Sequence, residues 1–186
     1  TNAAGSSAAQ AFTLTVQFVN QAPSFTLAGN QTVNEDAGAQ TVTNFVTAIS
    51  PGPANESGQT VTTSISNNTN PGLFSAGPAL TGSGSSRDLT YTPIANASGT
   101  ATITVKAQDN GGTAAGGADT TTQDFVITVN SVNDVPSFTQ TGGDQTANEN
   151  AGQVTVVNFI TAVSPGPADE SAQTVTFVID SNTNPS

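Results

Sequence analysis

The chain has 186 residues and a formal net charge of −11, because 13 Asp and Glu residues stand against 2 Lys and Arg residues. It contains no His, Cys, Met or Trp, which excludes a basic nucleic-acid interface, a zinc or thiol centre and a Ser-His-Asp triad. Calcium and other cations that bind oxygen are the metals that this composition could hold. The sequence has no run of 18 apolar residues, so we predict no membrane span in this segment.

Apolar and polar residues alternate along most of the chain, which is typical of half-buried β-strands. Between the alternating segments lie turns rich in Gly, Pro, Asn and Ser, and no segment has a helical pattern. The predicted strands are, in chain order, 12–18, 25–33, 42–49, 61–65, 89–93, 101–107 and 125–129. About seven strands in about 110 residues fit an immunoglobulin-like β-sandwich.

The sequence repeats itself with a period of 113 to 114 residues. FVTAISPGP at 45–53 returns as FITAVSPGP at 159–167, and NQAPSFT around Pro23 returns as NDVPSFT around Pro136. Residues 12–16 match 125–129 in the same register, and a one-residue insertion is expected near Gly142. We therefore predict three parts: the last strand of a preceding repeat (1–21), a complete repeat (22–133) and the first part of the next (134–186).

The few acidic residues recur in loops near the repeat boundaries. Such groups repel one another unless a cation neutralises them, and Arg87 and Lys106 are the only basic side chains in the sequence. Asn, Asp and Gly are also common turn residues, so a merely solvated acidic loop is the alternative interpretation. The recurring groups are Asn34-Glu35 with Asn148-Glu149, Glu56 with Asp169-Glu170, Asp109-Asn110, and Asn133-Asp134.

Three motifs resemble the bacterial cadherin-like and immunoglobulin-like tandem repeats of large surface adhesins. They are the linker NSVNDVP at 130–136, the Glu-Asn-Ala and Glu-Asp-Ala sequences that begin at Glu149 and Glu35, and the Ala-x-Asp-x-Gly turn around Asp109. The resemblance implies tandem β-sandwich repeats, calcium bound between successive repeats, and a location outside the cell or on a bacterial cell surface. The Asp-Arg-Glu and Asp-x-Asp motifs of cadherins are missing here, so it implies a sparser calcium site at each junction.

The same resemblance implies the ligands at two junctions. At the first junction Asn20 would meet Glu56 and Asp109. At the second, Glu35 would meet Asn133 and Asp134, and Asp169 and Glu170 of the next repeat would complete the site. Gln21 stands where the second linker has Asp134, so we expect the first site to bind calcium more weakly.

The leading functional hypothesis is a structural repeat of an extracellular rod, fibre or adhesin stalk, whose partners are neighbouring repeats or identical subunits. One alternative is a filament subunit joined by strand complementation of incomplete sandwiches. Another is a module that binds carbohydrate or a partner cell. We predict no enzyme activity, because the adjacent Asp169 and Glu170 do not form a cleft and the chain has one Tyr and no Trp for a sugar platform.

Overall fold

The structure is a computed structural model that describes residues 10–183. Short 3-10 turns lie at Ala54–Glu56, Pro71–Leu73, Ala114–Gly116 and Ala168–Glu170, and the rest of the regular structure is β. The prediction of an all-β chain is therefore confirmed. The strands are β1 (Ser24–Leu27), β2 (Gln31–Asn34), β3 (Gln40–Ser50), β4 (Val61–Asn68), β5 (Phe74–Thr81), β6 (Arg87–Pro93), β7 (Gly99–Asp109), β8 (Thr120–Asn130), β9 (Ser137–Gln140) and β10 (Ile160–Ser164).

The first eight strands form two four-stranded sheets. One sheet has the order β1-β3-β6-β5 and the other has the order β2-β8-β7-β4. All pairs are antiparallel except β2 with β8, which run parallel with Gln31 opposite Ile127 and Asn34 opposite Asn130. The parallel pair ends at the chain segment that links the complete repeat to the next one, so β2 and β8 deliver their last residues to the second junction.

One hydrophobic core lies between the two sheets. Alternate residues of β7 are buried, from Ala101 to Ala107, and the buried face of β8 includes Phe125. Phe125 packs on Phe45 of the opposite sheet, with the ring centroids 4.5 Å apart. This alternation continues to the end of β7, where the next inward position is occupied by the carboxylate of Asp109 instead of an apolar side chain.

Within the complete repeat, two features of the strand pattern differ from the prediction. The single strand predicted at 25–33 is two strands, β1 and β2, which belong to different sheets. Gly29 lies between them with φ +103°, a backbone conformation that glycine adopts without strain. In addition, β5 was not predicted, because its sequence FSAGPALT does not alternate between apolar and polar residues.

The alternating segment 12–18 is not a strand, although it was predicted as one. Phe12, Leu14 and Val16 are 89%, 78% and 85% exposed. Its counterpart β8 pairs with β7 on one side and β2 on the other. Within residues 10–183 no strand pairs with segment 12–18. The segment therefore alternates like a strand but forms no backbone hydrogen-bond ladder.

The two copies of the repeat share local geometry. β9 is the counterpart of β1, and β10 is the counterpart of the second half of β3. Asn44 and Asn158 have φ of +52° and +54°, and Ala48 and Ala162 have φ of +51° and +49°. The amides of Thr141 and Gly142 both donate to Phe159 O, where Ala28 alone donates to Phe45 O. The extra residue is therefore accommodated at this point, as the sequence offset indicated.

No helix within residues 10–183 is long and apolar enough to cross a membrane.

Candidate cation sites at the repeat junctions

The first junction is the place where residues 20–21 meet one end of the complete repeat. Asn20 is 4% exposed. Its side-chain nitrogen Nδ2 donates to Asp109 Oδ1 at 2.9 Å and to Ala118 O at 2.7 Å. Its backbone carbonyl accepts a hydrogen bond from the Ala118 amide at 3.0 Å. The linker is therefore held against the end of β7 and the start of β8 by side-chain and backbone contacts together.

Glu56 forms the other wall of the first junction. It is 1% exposed, and its Oε1 accepts a hydrogen bond from the Gln21 amide at 2.9 Å. The preceding SPGP sequence sets its position, because Pro53 starts the 3-10 turn and the Glu56 amide donates to Pro53 O at 2.8 Å. A Cβ atom at Gly52 would lie 1.9 Å from Glu56 Oε2. Only glycine leaves room for this carboxylate at that point in the loop.

The second junction is built around residues 132–134. Glu35, which follows β2 and is 1% exposed, accepts a hydrogen bond from the Val132 amide at 2.8 Å through Oε1. Glu170, which is 2% exposed, accepts one from the Asp134 amide at 2.5 Å. The Glu170 contact repeats that between Glu56 and Gln21. A Cβ at Gly166 would lie 1.7 Å from Glu170 Oε2, so the glycine has the same role in both copies.

Asp134 lies close to several other carboxylates. Burial raises the pKa of its carboxyl above the ordinary value of 3.8, and the negative charges of Asp36, Glu170 and Asp169 raise the pKa further. The second junction thus gathers acidic residues from the complete repeat, from the linker and from the next repeat. In this part of the chain the charges repel one another, and a bound cation would relieve that repulsion.

Most of the buried side-chain polar atoms that lack a hydrogen-bond partner within residues 10–183 lie at the two junctions. We call six of them the junction oxygens: Glu56 Oε2, Gln59 Oε1 and Asp109 Oδ2 at the first junction, and Glu35 Oε2, Asp134 Oδ2 and Glu170 Oε2 at the second. The seventh atom is Thr63 Oγ1 on β4. Leaving a buried acceptor without a donor costs about 1–3 kcal/mol, and more for a charged group. Water or a cation would remove that cost.

The structure brings together most of the residues that the sequence singled out. Asn20, Glu56 and Asp109 meet at the first junction through Gln21 and Gln59. Glu35 contacts the backbone of the second linker, and Asp134 contacts Glu170 through its amide. Two of the predicted ligands, Asn133 and Asp169, have exposed side chains. Asn133 Nδ2 donates to the carbonyl of its neighbour, Asp134 O.

Neither junction is a cage of carboxylates. In the part of the chain that the structure describes, no group of three or more His, Cys, Asp or Glu side chains has an arrangement that could hold a metal ion. The first junction combines two carboxylates, those of Glu56 and Asp109, with the amides of Asn20 and Gln59. Calcium accepts amide and backbone carbonyl oxygens alongside carboxylates, so a mixed set of this kind fits the ion chemically.

Sequence reasoning missed three participants. Gln59 bonds Asn20 at the first junction, Asp36 acts on the pKa of Asp134, and Gly52 makes room for Glu56. The signal for Gln59 was present, because QTVT at 59–62 returns as QTVT at 173–176 and Gln173 follows Glu170 as Gln59 follows Glu56. Gln173 and Asn133 both line a cleft at the second junction.

No protein-family model, curated protein or solved structure matches the chain.

Proposed function

We propose that this chain is part of a tandem array of immunoglobulin-like, cadherin-like β-sandwich repeats, which forms an extracellular rod, fibre or adhesin stalk stiffened by calcium at the junctions. The observation that carries the proposal is the position of the junction oxygens. Buried acceptors that lack donors among residues 10–183 are concentrated where one repeat meets the next. A divalent cation there would tie the linker to the repeats on both sides.

The strand order supports the immunoglobulin-like part of the proposal. In immunoglobulin-type sandwiches the first, second, fifth and fourth strands form one sheet, and the third, sixth and seventh form the other. The complete repeat has this arrangement if its first strand is divided between the sheets as β1 and β2. The repeated sequence and the shared backbone geometry of the two copies support a tandem array.

The chemistry of the junctions supports calcium in particular. The available donors are carboxylate, amide and backbone oxygens, which are the ligands of hard cations. Glu56 and Asp109 would hold the ion at the first junction, together with Asn20 of the linker, which contacts Asp109. Asp134 and Glu170 would hold it at the second with amide or backbone oxygens, Glu35 would fix the linker through the Val132 amide, and Asp36 and Asp169 would add negative charge close by. Calcium modules outside cells bind in the range of about 10⁻⁴ to 10⁻³ M, and sparse sites suit that range.

The two junctions differ in charge. The first linker places neutral Gln21 at the position that Asp134 occupies in the second, and the amides of both residues donate to the equivalent glutamate. Because ligand charge raises calcium affinity, the second junction should bind calcium more tightly. Its extra carboxylate also makes the calcium-free form of that junction less favourable.

The test is a thermal melt of the 186-residue chain in calcium and in chelator. We expect calcium to raise the melting temperature by several degrees, because a ligand that binds only the folded state stabilises it by mass action. Glu56→Gln should reduce this rise. Asp124→Asn is the matched control, since it removes one negative charge from an exposed position of β8 and should leave the rise intact. An unchanged melting temperature in the wild-type chain would contradict the calcium proposal.

A second candidate function, a filament subunit joined by strand complementation, is favoured by the exposed segment 12–18. Phe12, Leu14 and Val16 align with the inward-facing Phe125, Ile127 and Val129 of β8. A second copy of the chain could accept this segment beside residues 145–148, as β2 accepts β8. Light scattering after size-exclusion chromatography tests this. Concentration-dependent oligomers that Leu14→Glu abolishes would support it, and a monomer at all concentrations would exclude it.

A further inference from the structure

The hydrogen bonds of Asn20 fix the orientation of its side-chain amide. Its Nδ2 donates to Asp109 Oδ1 and to Ala118 O, and neither of these atoms can donate in return. A flipped amide would place its oxygen against both acceptors. The nitrogen of Asn20 must therefore face Asp109, and its Oδ1 must face away from Asp109.

The orientation of Asn20 in turn fixes that of Gln59. Gln59 Nε2 donates to Asn20 Oδ1 at 2.7 Å. A flipped Gln59 would set two amide oxygens against each other, so its Oε1 must point away from Asn20. This Oε1 is buried and receives no hydrogen bond from any residue in the range 10–183. An amide carbonyl left in this way accepts a bond from water or coordinates a cation.

The backbone around Gln59 and Gly111 also favours the contact between Asn20 and Gln59. The Gln59 amide donates to Glu56 O at 2.9 Å, so both residues belong to one turn. A Cβ atom at Gly111 would lie 1.9 Å from Asn20 Oδ1 and 2.6 Å from Gln59 Nε2. The glycine in the Asp109-Asn110-Gly111 turn is thus required for the contact between Asn20 and Gln59.

We propose that Gln59 supplies a neutral ligand to the cation at the first junction, and that Asn20 is a positioning residue that aims it and does not itself bind the ion. The inference rests on the calcium site proposed above and changes its ligand set from Asn20 to Gln59. Because Asn20 belongs to the linker, cation binding and linker docking become coupled. Gln173 occupies the equivalent position after Glu170, but it is exposed and Asn133 donates to Asp134 O instead, so the inference applies to the first junction.

The test is a calcium titration of the whole chain, followed by NMR at the backbone amides of Gln21 and Gly111. These amides donate to Glu56 Oε1 and Asp109 Oδ1, so they report on the first junction alone. Gln59→Leu and Asn20→Ala should each weaken calcium binding by about 10- to 100-fold, as is usual when a ligand or the residue that orients it is lost. The spectra also show whether each variant remains folded, and Gln59→Ala replaces Gln59→Leu if that variant unfolds.

The double variant separates positioning from direct ligation. If Asn20 acts through Gln59, the double variant binds calcium no more weakly than Gln59→Leu alone. If the two side chains bind the ion independently, their effects multiply and the positioning role is wrong. Gln123→Leu is the matched control, because Gln123 Nε2 donates to Phe25 O at 2.8 Å, away from the junction. It should leave the affinity unchanged.

Failure of this inference differs from failure of the proposed function. If the wild-type Gln21 and Gly111 amides do not respond to calcium, the calcium site itself is wrong. If they respond and Gln59→Leu binds calcium as well as the wild type, the site stands and water satisfies Gln59 Oε1, which overturns the ligand role.

Discussion

The surroundings of Asp134 disfavour the ionised form of its carboxyl group. Burial, and then the charges of Asp36, Glu170 and Asp169, raise its pKa above the ordinary value. A carboxyl whose pKa is higher in the folded chain than in the unfolded chain binds its proton more readily when folded. Above the folded pKa its charge therefore opposes folding, and this penalty disappears as the pH falls through the folded pKa. Calcium would remove the same penalty at neutral pH.

Asp134→Asn should therefore stabilise the calcium-free chain at neutral pH. The reason is that it removes the charge that burial and the neighbouring carboxylates disfavour. The measurement is the difference in melting temperature between variant and wild type in chelator, as a function of pH. We expect this difference to shrink as the pH falls through the folded pKa of Asp134, and a difference that stays constant with pH would contradict the electrostatic account. In calcium the same variant should be the less stable one.

Single residues were partly predictable from the sequence. The position of Asp109 followed from a strand that ends in an acidic turn, and Glu56 and Glu170 followed from the repeated loop. The role of Gln59 could not be deduced in this way, because a polar residue after a turn is common on any surface. Its role depends on the amide of Asn20, which is distant in sequence and reaches Gln59 only after the linker docks.

At the scale of elements, the SPGP loop combines a backbone conformation that favours glycine with a buried carboxylate. Gly52 has φ +151°, and Glu56 Oε2 occupies the space where a Cβ would lie. Gly52→Ala should therefore destabilise the repeat by about 1–3 kcal/mol and should also displace Glu56 and weaken calcium binding. Urea denaturation and the calcium titration at the Gln21 amide measure the two effects.

Gly38→Ala is the control for this loop. Gly38 also has a positive φ, of +70°, but nothing lies within 4 Å of its hypothetical Cβ among the residues that the structure describes. It should cost about 1–2 kcal/mol through the backbone alone and leave calcium affinity unchanged. If both variants lose calcium affinity equally, the close approach of Glu56 to Gly52 is not the cause.

The aligned segments β8 and 12–16 give a second prediction at this scale. Phe125 is 2% exposed and packs on Phe45, whereas Phe12, at the same repeat position, is 89% exposed. Phe125→Ala should cost about 3–5 kcal/mol of unfolding free energy, because it removes a buried ring and leaves a cavity. Phe12→Ala should change it by about 0.5 kcal/mol or less. A large loss in Phe12→Ala would mean that segment 12–18 packs onto the chain in solution.

These segments also show why strands were only partly predictable. The same alternation occurs in 12–16 and in β8, but only β8 has neighbours on both sides within residues 10–183. Alternation reports that a segment could line a core, and pairing decides whether it does. The converse holds for β5, which lacks alternation and yet pairs with β6 from Phe74 to Thr81. Its backbone hydrogen bonds, and not its side chains, define it as a strand.

At the scale of the whole molecule, the charge of −11 is carried by few residues, and several of them lie at the two junctions. Screening by salt weakens repulsion between exposed charges, but it acts less on buried groups such as Glu35, Glu56 and Glu170. General screening and specific calcium binding should therefore stabilise the chain to different extents. The difference separates an acidic surface that is merely solvated from a set of cation sites.

We expect calcium to raise the melting temperature of the chain well above the value in sodium chloride of the same ionic strength. Magnesium should stabilise it less than calcium, because it requires near-octahedral geometry and gives up its water reluctantly, whereas the junctions offer a small, mixed set of carboxylate and amide oxygens. Differential scanning calorimetry in the three chloride salts measures this. The variant Glu56→Gln/Glu170→Gln is the control, since it should lose the calcium-specific increment and keep the sodium response. Equal melting temperatures in all three salts would mean that the junction carboxylates are only screened, and that the linkers are held by protein contacts such as those of Asn20 alone.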